Sequence, residues 1–156
     1  MDAGVEILPD DLTDPAVLRL LNEHVRALRG ISPPESCHVL DPAALRQPGV
    51  AFWTAWRVGE LAGCAALKQI DATHGEIKSM RTARAHLRQG IAAALLRHLL
   101  DEAQRRGYRR VSLETGSMDE FAPAQRLYAS FGFVPCAPFG DYVDDPNSLF
   151  LTRALP

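Results

Sequence analysis

Cysteine is scarce in this sequence, and the spacing of cysteine and histidine does not suit a metal site. The 156 residues include three cysteines, Cys37, Cys64 and Cys136, which are far apart and odd in number. Such cysteines predict reduced thiols rather than a disulfide framework. No CxxC pair occurs, and the neighbours Cys37 and His38 would point in different directions on most backbones. We therefore expect no bound metal.

The chain also lacks an excess of charge and any long apolar run. Its formal net charge is -2, which argues against a broad basic surface for nucleic acid. No apolar segment approaches the length needed to cross a bilayer, and the N-terminal stretch MDAGVEILPDD is acidic rather than a basic leader. We expect a cytoplasmic protein with no nucleic-acid or membrane partner.

The bulk composition is that of a folded globular protein. Hydrophobic residues make up 47% of the sequence and charged residues 23%. The length suits one hydrophobic core, and no repeat, linker or low-complexity segment interrupts it. The sequence predicts a single domain over residues 1–156.

Capping residues and apolar periodicity divide the first half of the chain. Alternation over residues 5–8 predicts a strand. Asp-Pro pairs at residues 14–15 and 41–42 predict two helix starts, of which the first helix ends at Gly30 and the second is brief. Prolines make residues 31–40 a loop.

The remaining elements follow from β-rich runs and helical periodicity. Predicted strands cover residues 50–58, 61–70, 76–82, 110–115, 133–139 and 148–154. The first three form an antiparallel meander, whose first hairpin loop we assign to Gly59-Glu60. Apolar residues at helical spacing predict a buried helix from Ile91 to Gly107 and a short one over residues 123–131. Because helices and strands alternate after a meander, the sheet is mixed.

The stretch from Glu76 to Arg106 contains a candidate anion site. A strand leads through a basic loop to Gly90, where a helix begins, so unpaired backbone N–H groups and the positive end of the helix dipole lie together. The loop holds four basic residues, Arg81, Arg84, His86 and Arg88. Solvated surface arginines would give the same pattern. Neither GxGxxG nor GxxxxGK[ST] is present, so no dinucleotide fold or P-loop is predicted.

Two motifs together resemble the GNAT acetyltransferase superfamily. The first runs through Ile77, Met80 and Thr82 to Gln89-Gly90-Ile91-Ala92, and the second is A-x-x-L-Y-x-x-F-G-F over residues 124–133. The LETGS segment and residues 136–148 are similar to a subgroup of small bacterial acetyltransferases. The resemblance implies an α/β (α+β) fold with a mixed, mostly antiparallel sheet of six to seven strands. About four helices would flank the sheet, which would splay between its fourth and fifth strands.

The resemblance implies acetyl-CoA as the acetyl donor. Backbone groups of the fourth strand would pair with its pantetheine arm, and the helix start would hold its pyrophosphate. The implied donor-binding residues are Met80, Arg81, Thr82, Leu87, Arg88, Gln89, Gly90, Ile91, Ala92 and Ala93. Three positions depart from the family pattern, namely Leu87, Ala92 and Phe121. The first two favour binding by backbone N–H groups over side chains, and Phe121 replaces a frequent asparagine near the thioester.

Three residues are candidates for the chemistry that the resemblance implies. Tyr128 would protonate the departing CoA thiolate, although a tyrosine beside Leu127 and Phe131 is also typical of a core aromatic. Glu76 is the candidate base, acting through water, against the alternative of a solvated strand-end carboxylate. Glu114 is the rival base, or else belongs to a structural ion pair.

The function implied is transfer of an acetyl group to a primary amine of a small molecule or to an exposed protein amine. The alternative is a non-catalytic acyl-CoA binding or sensing domain. Acceptor recognition would fall to the irregular segments 31–40 and 136–148. The second segment carries Asp141, Asp144 and Asp145 around Tyr142, which could orient an ammonium group or simply form turns. Exposed edges of the last strands are compatible with a homodimer.

Overall fold

Seven strands form one mixed sheet in the structure, a computed structural model that describes residues 4–33 and 41–156. The order across the sheet is β1-β2-β3-β4-β5-β7-β6. All neighbouring pairs are antiparallel except β4 and β5, which are parallel. The strands are β1 (Val5–Pro9), β2 (Val50–Arg57), β3 (Glu60–Asp71), β4 (His74–Thr82), β5 (Arg110–Gly116), β6 (Val134–Pro135) and β7 (Ser148–Ala154). The predicted mixed sheet is confirmed.

Four α-helices pack against this sheet within the described part of the chain. They are α1 (Pro15–Ile31), α2 (Pro42–Leu45), α3 (Ile91–Arg105) and α4 (Ala122–Ser130). Both predicted Asp-Pro helix starts are present, since the carboxylates of Asp14 and Asp41 accept hydrogen bonds from backbone N–H groups in the first turn.

The two faces of the sheet carry separate apolar clusters. On one face, α1 and α2 bury Val17, Leu20 and Leu45 against Phe52 and neighbouring strand residues. On the other face, α3 and α4 pack with a larger set of core residues. The buried stripe of α3 has the predicted members Ile91, Leu95, Leu99 and Ala103. Strand β4 contacts α1 on one face of the sheet and α3 on the other.

The sheet separates where β4 and β5 diverge. The two strands pair with each other only from His74 opposite Arg110 to Ile77 opposite Leu113. Beyond these residues β4 runs to Thr82 and β5 to Gly116 without further pairing between the two. The predicted splay is thus confirmed. Just beyond the last pair, β4 carries one extra residue against β3, and Ser79 has a positive φ of 54°. Such a β-bulge re-aims the backbone groups around it.

Several predicted boundaries are wrong. The first hairpin loop is Val58-Gly59 rather than Gly59-Glu60, with both residues at positive φ as a type I′ turn needs. The sixth strand is only Val134–Pro135 instead of residues 133–139, because its partner strand β7 pairs with just two of its residues. The first helix continues to Ile31, one residue past Gly30. Most of the loop predicted at 31–40, with Cys37 and His38, lies outside the described residues.

Candidate functional site

The splay between β4 and β5 opens into a cavity of about 500 Å³. Its walls come from both strands, from the C-terminal half of α1 and from α4. All three predicted catalytic residues, Glu76, Glu114 and Tyr128, line it. The fold therefore brings together residues that are up to 52 positions apart in the sequence (128 minus 76).

Glu76 lies inside this cavity as part of a buried polar cluster. It is the third residue of β4 and is 4% exposed, so its description as a solvated strand-end carboxylate is wrong. The Tyr142 hydroxyl donates to Glu76 Oε2 at 2.5 Å, and Lys78 Nζ lies 3.3 Å from the same oxygen. Lys78 Nζ also donates to the Tyr142 oxygen at 2.6 Å. The ammonium balances the carboxylate charge, as burial of a charge requires.

Tyr142 connects the C-terminal loop to Glu76. Burial, together with the charge of Glu76, raises the pKa of Tyr142, and the nearby charge of Glu114 adds to this. The phenol therefore stays protonated and acts as a donor to Glu76. Glu114 is half-buried and accepts a hydrogen bond from Ser148 Oγ at 2.7 Å. Neither Lys78 nor this role of Tyr142 was predicted, because only tertiary folding brings residue 142 to β4.

Tyr128 reaches the cavity from α4. It is buried, and its ring packs edge-on against Phe133 with centroids 5.8 Å apart. Burial raises the pKa of Tyr128, so the phenol keeps its proton at neutral pH. Tyr128 is thus a buried core aromatic that also lines the cavity, and its role as the proton donor stays a prediction.

The unpaired end of β4 supplies further predicted donor-binding residues. Met80, Arg81 and Thr82 all line the cavity. Because β5 has already diverged, the β4 backbone here has no strand partner on that side among the described residues. An extended ligand could add to this edge as a strand would.

The start of α3 has the form of an anion cradle. Gly90 is the N-cap residue with φ 80°, and the first helical hydrogen bond runs from the Ala94 N–H to the Gly90 carbonyl. The N–H groups of the first turn thus have no helical acceptor. A Cβ built on Gly90 would meet nothing within 4 Å, so the space beside Gly90 is open.

Side chains tie the cradle loop to the β2–β3 hairpin. Arg57 donates to Gln89 Oε1 at 3.0 Å, and His86 Nδ1 lies 3.3 Å from the same oxygen. His86 Nε2 in turn lies 3.5 Å from a Glu60 carboxylate oxygen. Gln89 and His86 therefore position the loop, a role that the sequence pattern did not reveal.

The predicted donor-binding residues divide into three groups, apart from Ala93, which is half-buried in the first turn of α3 and does not line the cavity. Leu87 and Ala92 line the cavity together with the β4 residues, and Leu87 is 54% exposed. Arg88, Gln89 and Gly90 are exposed on the cradle loop outside the cavity wall. Ile91 is buried in the core, so only its backbone N–H could meet a ligand.

Phe121, which replaces a frequent asparagine, has an apolar role in the structure. Its ring covers Gly116 so closely that a Cβ at Gly116 would come within 2.1 Å of it. Phe121 also lines the cavity. It closes the end of β5 with an apolar wall instead of a polar group.

His24 on α1 also lines the cavity and was not predicted. Its Nδ1 is buried without a hydrogen-bond partner among the described residues. Burial lowers the pKa of His24 to about 4, and the positive charge of Arg81 contributes to the same shift. The imidazole is therefore neutral in the folded protein at neutral pH.

We expect the protein to lose stability as the pH falls from about 7 to 4, with His24 responsible for much of the change. Over this range the unfolded chain, in which histidine has its ordinary pKa of about 6.5, binds more protons than the folded one. The effect of His24 should be on the order of 2–3 kcal/mol, since one pKa unit corresponds to about 1.4 kcal/mol. Urea unfolding of wild type and His24→Gln between pH 4 and pH 7 measures it. Equal pH dependence in the two proteins would contradict the assignment.

No group of three or more His, Cys, Asp or Glu side chains in residues 4–33 and 41–156 could hold a metal ion. Over the same ranges, no helix is both long and apolar enough to cross a membrane. Cys64 and Cys136 are free thiols, and burial raises the pKa of Cys64 to about 12.

The splayed β4–β5 pair, the cradle at α3 and the cavity with its buried acid and phenol define an acyl-CoA-dependent acyltransferase. Residues 17–133 match the model of the family described as "Acetyltransferase (GNAT) family". The chain belongs to this family, and it is an N-acetyltransferase. The predicted superfamily is confirmed, and the enzyme is favoured over a non-catalytic binding domain.

Several bacterial relatives match almost the whole chain. The chain is 56% identical over 146 residues to the "uncharacterized N-acetyltransferase YsnE" of Bacillus subtilis, covering 94% of this chain and 97% of that protein. It is 35% identical over 153 residues to the "IAA acetyltransferase" of Azospirillum brasilense, covering 97% and 99%.

Solved structures share the fold. An acyl-CoA N-acyltransferase structure from Klebsiella pneumoniae superposes with a TM-score of 0.80 at 25% identity, covering 98% of this chain and 99% of that one. A GNAT family acetyltransferase from Elizabethkingia anophelis, solved with acetyl-CoA bound, has a TM-score of 0.69 at 19% identity, covering 97% and 99%. At least one protein with this fold thus binds acetyl-CoA.

Proposed function

We propose that the protein transfers the acetyl group of acetyl-CoA to a primary amine of a small molecule. The observation that carries the proposal is that Glu76, Tyr128 and the end of β4 that is not paired with β5 all line the same cavity. The name of the Azospirillum relative includes an acceptor, IAA, and we take this as support for a small molecule over an exposed protein amine. A cytoplasmic location and a homodimer remain predictions.

The donor would lie along the splay. The backbone of Met80 and Thr82 would pair with the pantetheine arm, since this edge of β4 has no other strand to bind among the described residues. The pyrophosphate would sit on the N–H groups from Arg88 to Ala93, in front of the open space at Gly90. The bulge at Ser79 lies between these contacts and Glu76, and a nearby N–H would stabilise the oxyanion.

The reaction then requires two proton transfers. A neutral amine attacks the thioester carbon, a C–N bond forms, and the C–S bond breaks to release the CoA thiolate. Glu76 takes the proton that the amine loses, through water, and Tyr128 gives its phenol proton to the thiolate. Solvent returns the proton from Glu76 to the Tyr128 phenolate, so no net charge remains.

Glu76 is a better candidate base than Glu114. It lies in the cavity as a buried carboxylate whose charge is balanced by Lys78. Glu114 is half-buried at the far side of the splay and is bonded to Ser148. Alkylamines have pKa values of about 10, so a base is needed at neutral pH.

We expect Glu76→Gln to lower kcat by about 10- to 100-fold and to change the rise of activity with pH, since the base is lost. Thiol release from acetyl-CoA with a panel of amines measures this, and Glu114→Gln is the matched control. A larger effect of Glu114→Gln would reverse the two roles. If the wild type binds acetyl-CoA but no amine raises turnover above hydrolysis, the proposed transfer is wrong.

A further inference from the structure

The part of the cavity next to α1 contains nitrogen atoms of an arginine and a histidine that the proposed chemistry does not use. Arg81 Nε and His24 Nδ1 are both buried, and neither has a hydrogen-bond partner in the described ranges 4–33 and 41–156. Both residues line the cavity. Buried polar atoms are rarely left unpaired in folded proteins, so each calls for an explanation.

Arg81 extends toward α1, away from the α3 cradle. It pairs with Cys64 across β3 and β4, and Cys64 packs in the cluster that contains Leu20 and Leu21 of α1. His24 follows these leucines by about one helical turn. The contribution of the Arg81 charge to the lowered His24 pKa also indicates that the two side chains are neighbours.

The other cation deep in the cavity is already engaged. Lys78 Nζ contacts both Glu76 and Tyr142. By contrast, no carboxylate in the described part of the chain forms an ion pair with Arg81. A partly buried guanidinium without a counter-ion is unfavourable, and a carboxylate is the partner that its planar fork fits best.

We propose that Arg81 and His24 bind a carboxylate of the acceptor, so that the enzyme acetylates amino acids or similar amine-bearing acids. This inference rests on the proposed acetyl transfer for the amine, but the carboxylate site itself does not. Ser79, at the bulge, lies between Glu76 and Arg81 on β4. The base would thus act on one side of the thioester, and the carboxylate would be held on the other.

The remaining wall fits the carbon frame of such an acceptor. Leu28 and Ile31 line the cavity beside His24, and Phe121 lines it from the side of β5. An acid with an apolar body would therefore bury its side chain there while its carboxylate pairs with Arg81. The Arg81 side chain would hold the carboxylate, and the Arg81 backbone would stay free to line the donor.

The test compares ligands that differ only in the carboxylate. CoA-saturated protein is titrated by calorimetry with N-acetyl-phenylalanine and N-acetyl-leucine, and with N-acetyl-phenethylamine and N-acetyl-3-methylbutylamine, which lack the carboxylate. We expect the acids to bind at least about tenfold more tightly in wild type, because a charge-assisted pair is made. Arg81→Met should abolish the difference, and Arg81→Lys should restore part of it.

Two controls make the result specific. Arg19, exposed on α1 and outside the cavity, provides Arg19→Met as a matched loss of one charge, and it should leave all affinities unchanged. The affinity for acetyl-CoA should stay within about twofold in Arg81→Met. A large loss of acetyl-CoA affinity would mean that Arg81 serves a donor phosphate, and would overturn the proposal.

The outcomes separate this inference from the proposed function. Equal binding of acids and carboxylate-free ligands by wild type overturns the carboxylate site, even if amines are acetylated. Arg81-dependent binding of the acids supports the site, even if no amine is turned over in the thiol-release assay. In that second case the proposed transfer fails and the carboxylate site stands.

Discussion

Tyr128→Phe should lower kcat by about 100-fold or more, which is the lower range of general acid catalysis, with little change in affinity for acetyl-CoA. The substitution removes only the hydroxyl that we propose as the proton donor to the CoA thiolate. The ring would still pack against Phe133. Stopped-flow or steady-state thiol release gives kcat, and calorimetry gives the affinity.

Stability should change little in this variant. Burial accounts for the raised pKa of Tyr128, and no described residue hydrogen-bonds to its hydroxyl, so no partner is left unsatisfied. Tyr108→Phe is the matched control, because Tyr108 is equally buried in the same cluster and does not line the cavity. Comparable loss of kcat in both variants would point to general packing, and full activity of Tyr128→Phe would exclude it as the acid.

Gly90→Val should weaken binding of acetyl-CoA by at least about tenfold, which corresponds to about 1.4 kcal/mol. A branched side chain would occupy the open space in front of the α3 N–H groups, where we place the pyrophosphate. The φ of 80° is also unfavourable for valine, so the loop geometry would be strained. Calorimetry with acetyl-CoA measures the loss.

Gly107→Val isolates the effect of the ligand from that of strain. Gly107 follows the other end of the same helix with φ 81°, and a Cβ there also meets nothing within 4 Å. Both variants should lose a similar free energy of unfolding, about 1–2 kcal/mol, because both place valine in the left-handed region. Only Gly90→Val should lose affinity. Equal affinities for acetyl-CoA in the two variants would show that the start of α3 does not bind the pyrophosphate.

Local sequence signals anticipated the elements well where short-range chemistry decides them. The two Asp-Pro pairs start α1 and α2 because a capping carboxylate and a fixed proline φ act within a single turn. The apolar stripe of α3 follows from its period alone. The predicted position of the first hairpin loop was wrong by one residue. The reason is that Val58 adopts a positive φ in the structure, which valine rarely does.

The candidate site was anticipated less evenly. Motif resemblance indicated Glu76, Glu114 and Tyr128, and the fold brings all three to one cavity. It did not indicate Lys78 or the hydroxyl of Tyr142, whose contact with Glu76 joins positions 66 residues apart. A sequence pattern cannot predict this contact, because the contact depends on how the C-terminal loop folds over β4.

The central stretch from β4 to α3 shows most clearly which features the sequence determines and which depend on the tertiary structure. Its order of strand, basic loop, glycine and apolar helix was sufficient to predict an anion cradle, since helix ends expose N–H groups wherever they occur. Whether Arg81 faces the donor or the acceptor could not be read from that order. One extra residue in the bulge at Ser79 turns Arg81 toward α1, and a shift of one residue in a strand exchanges the faces of its side chains.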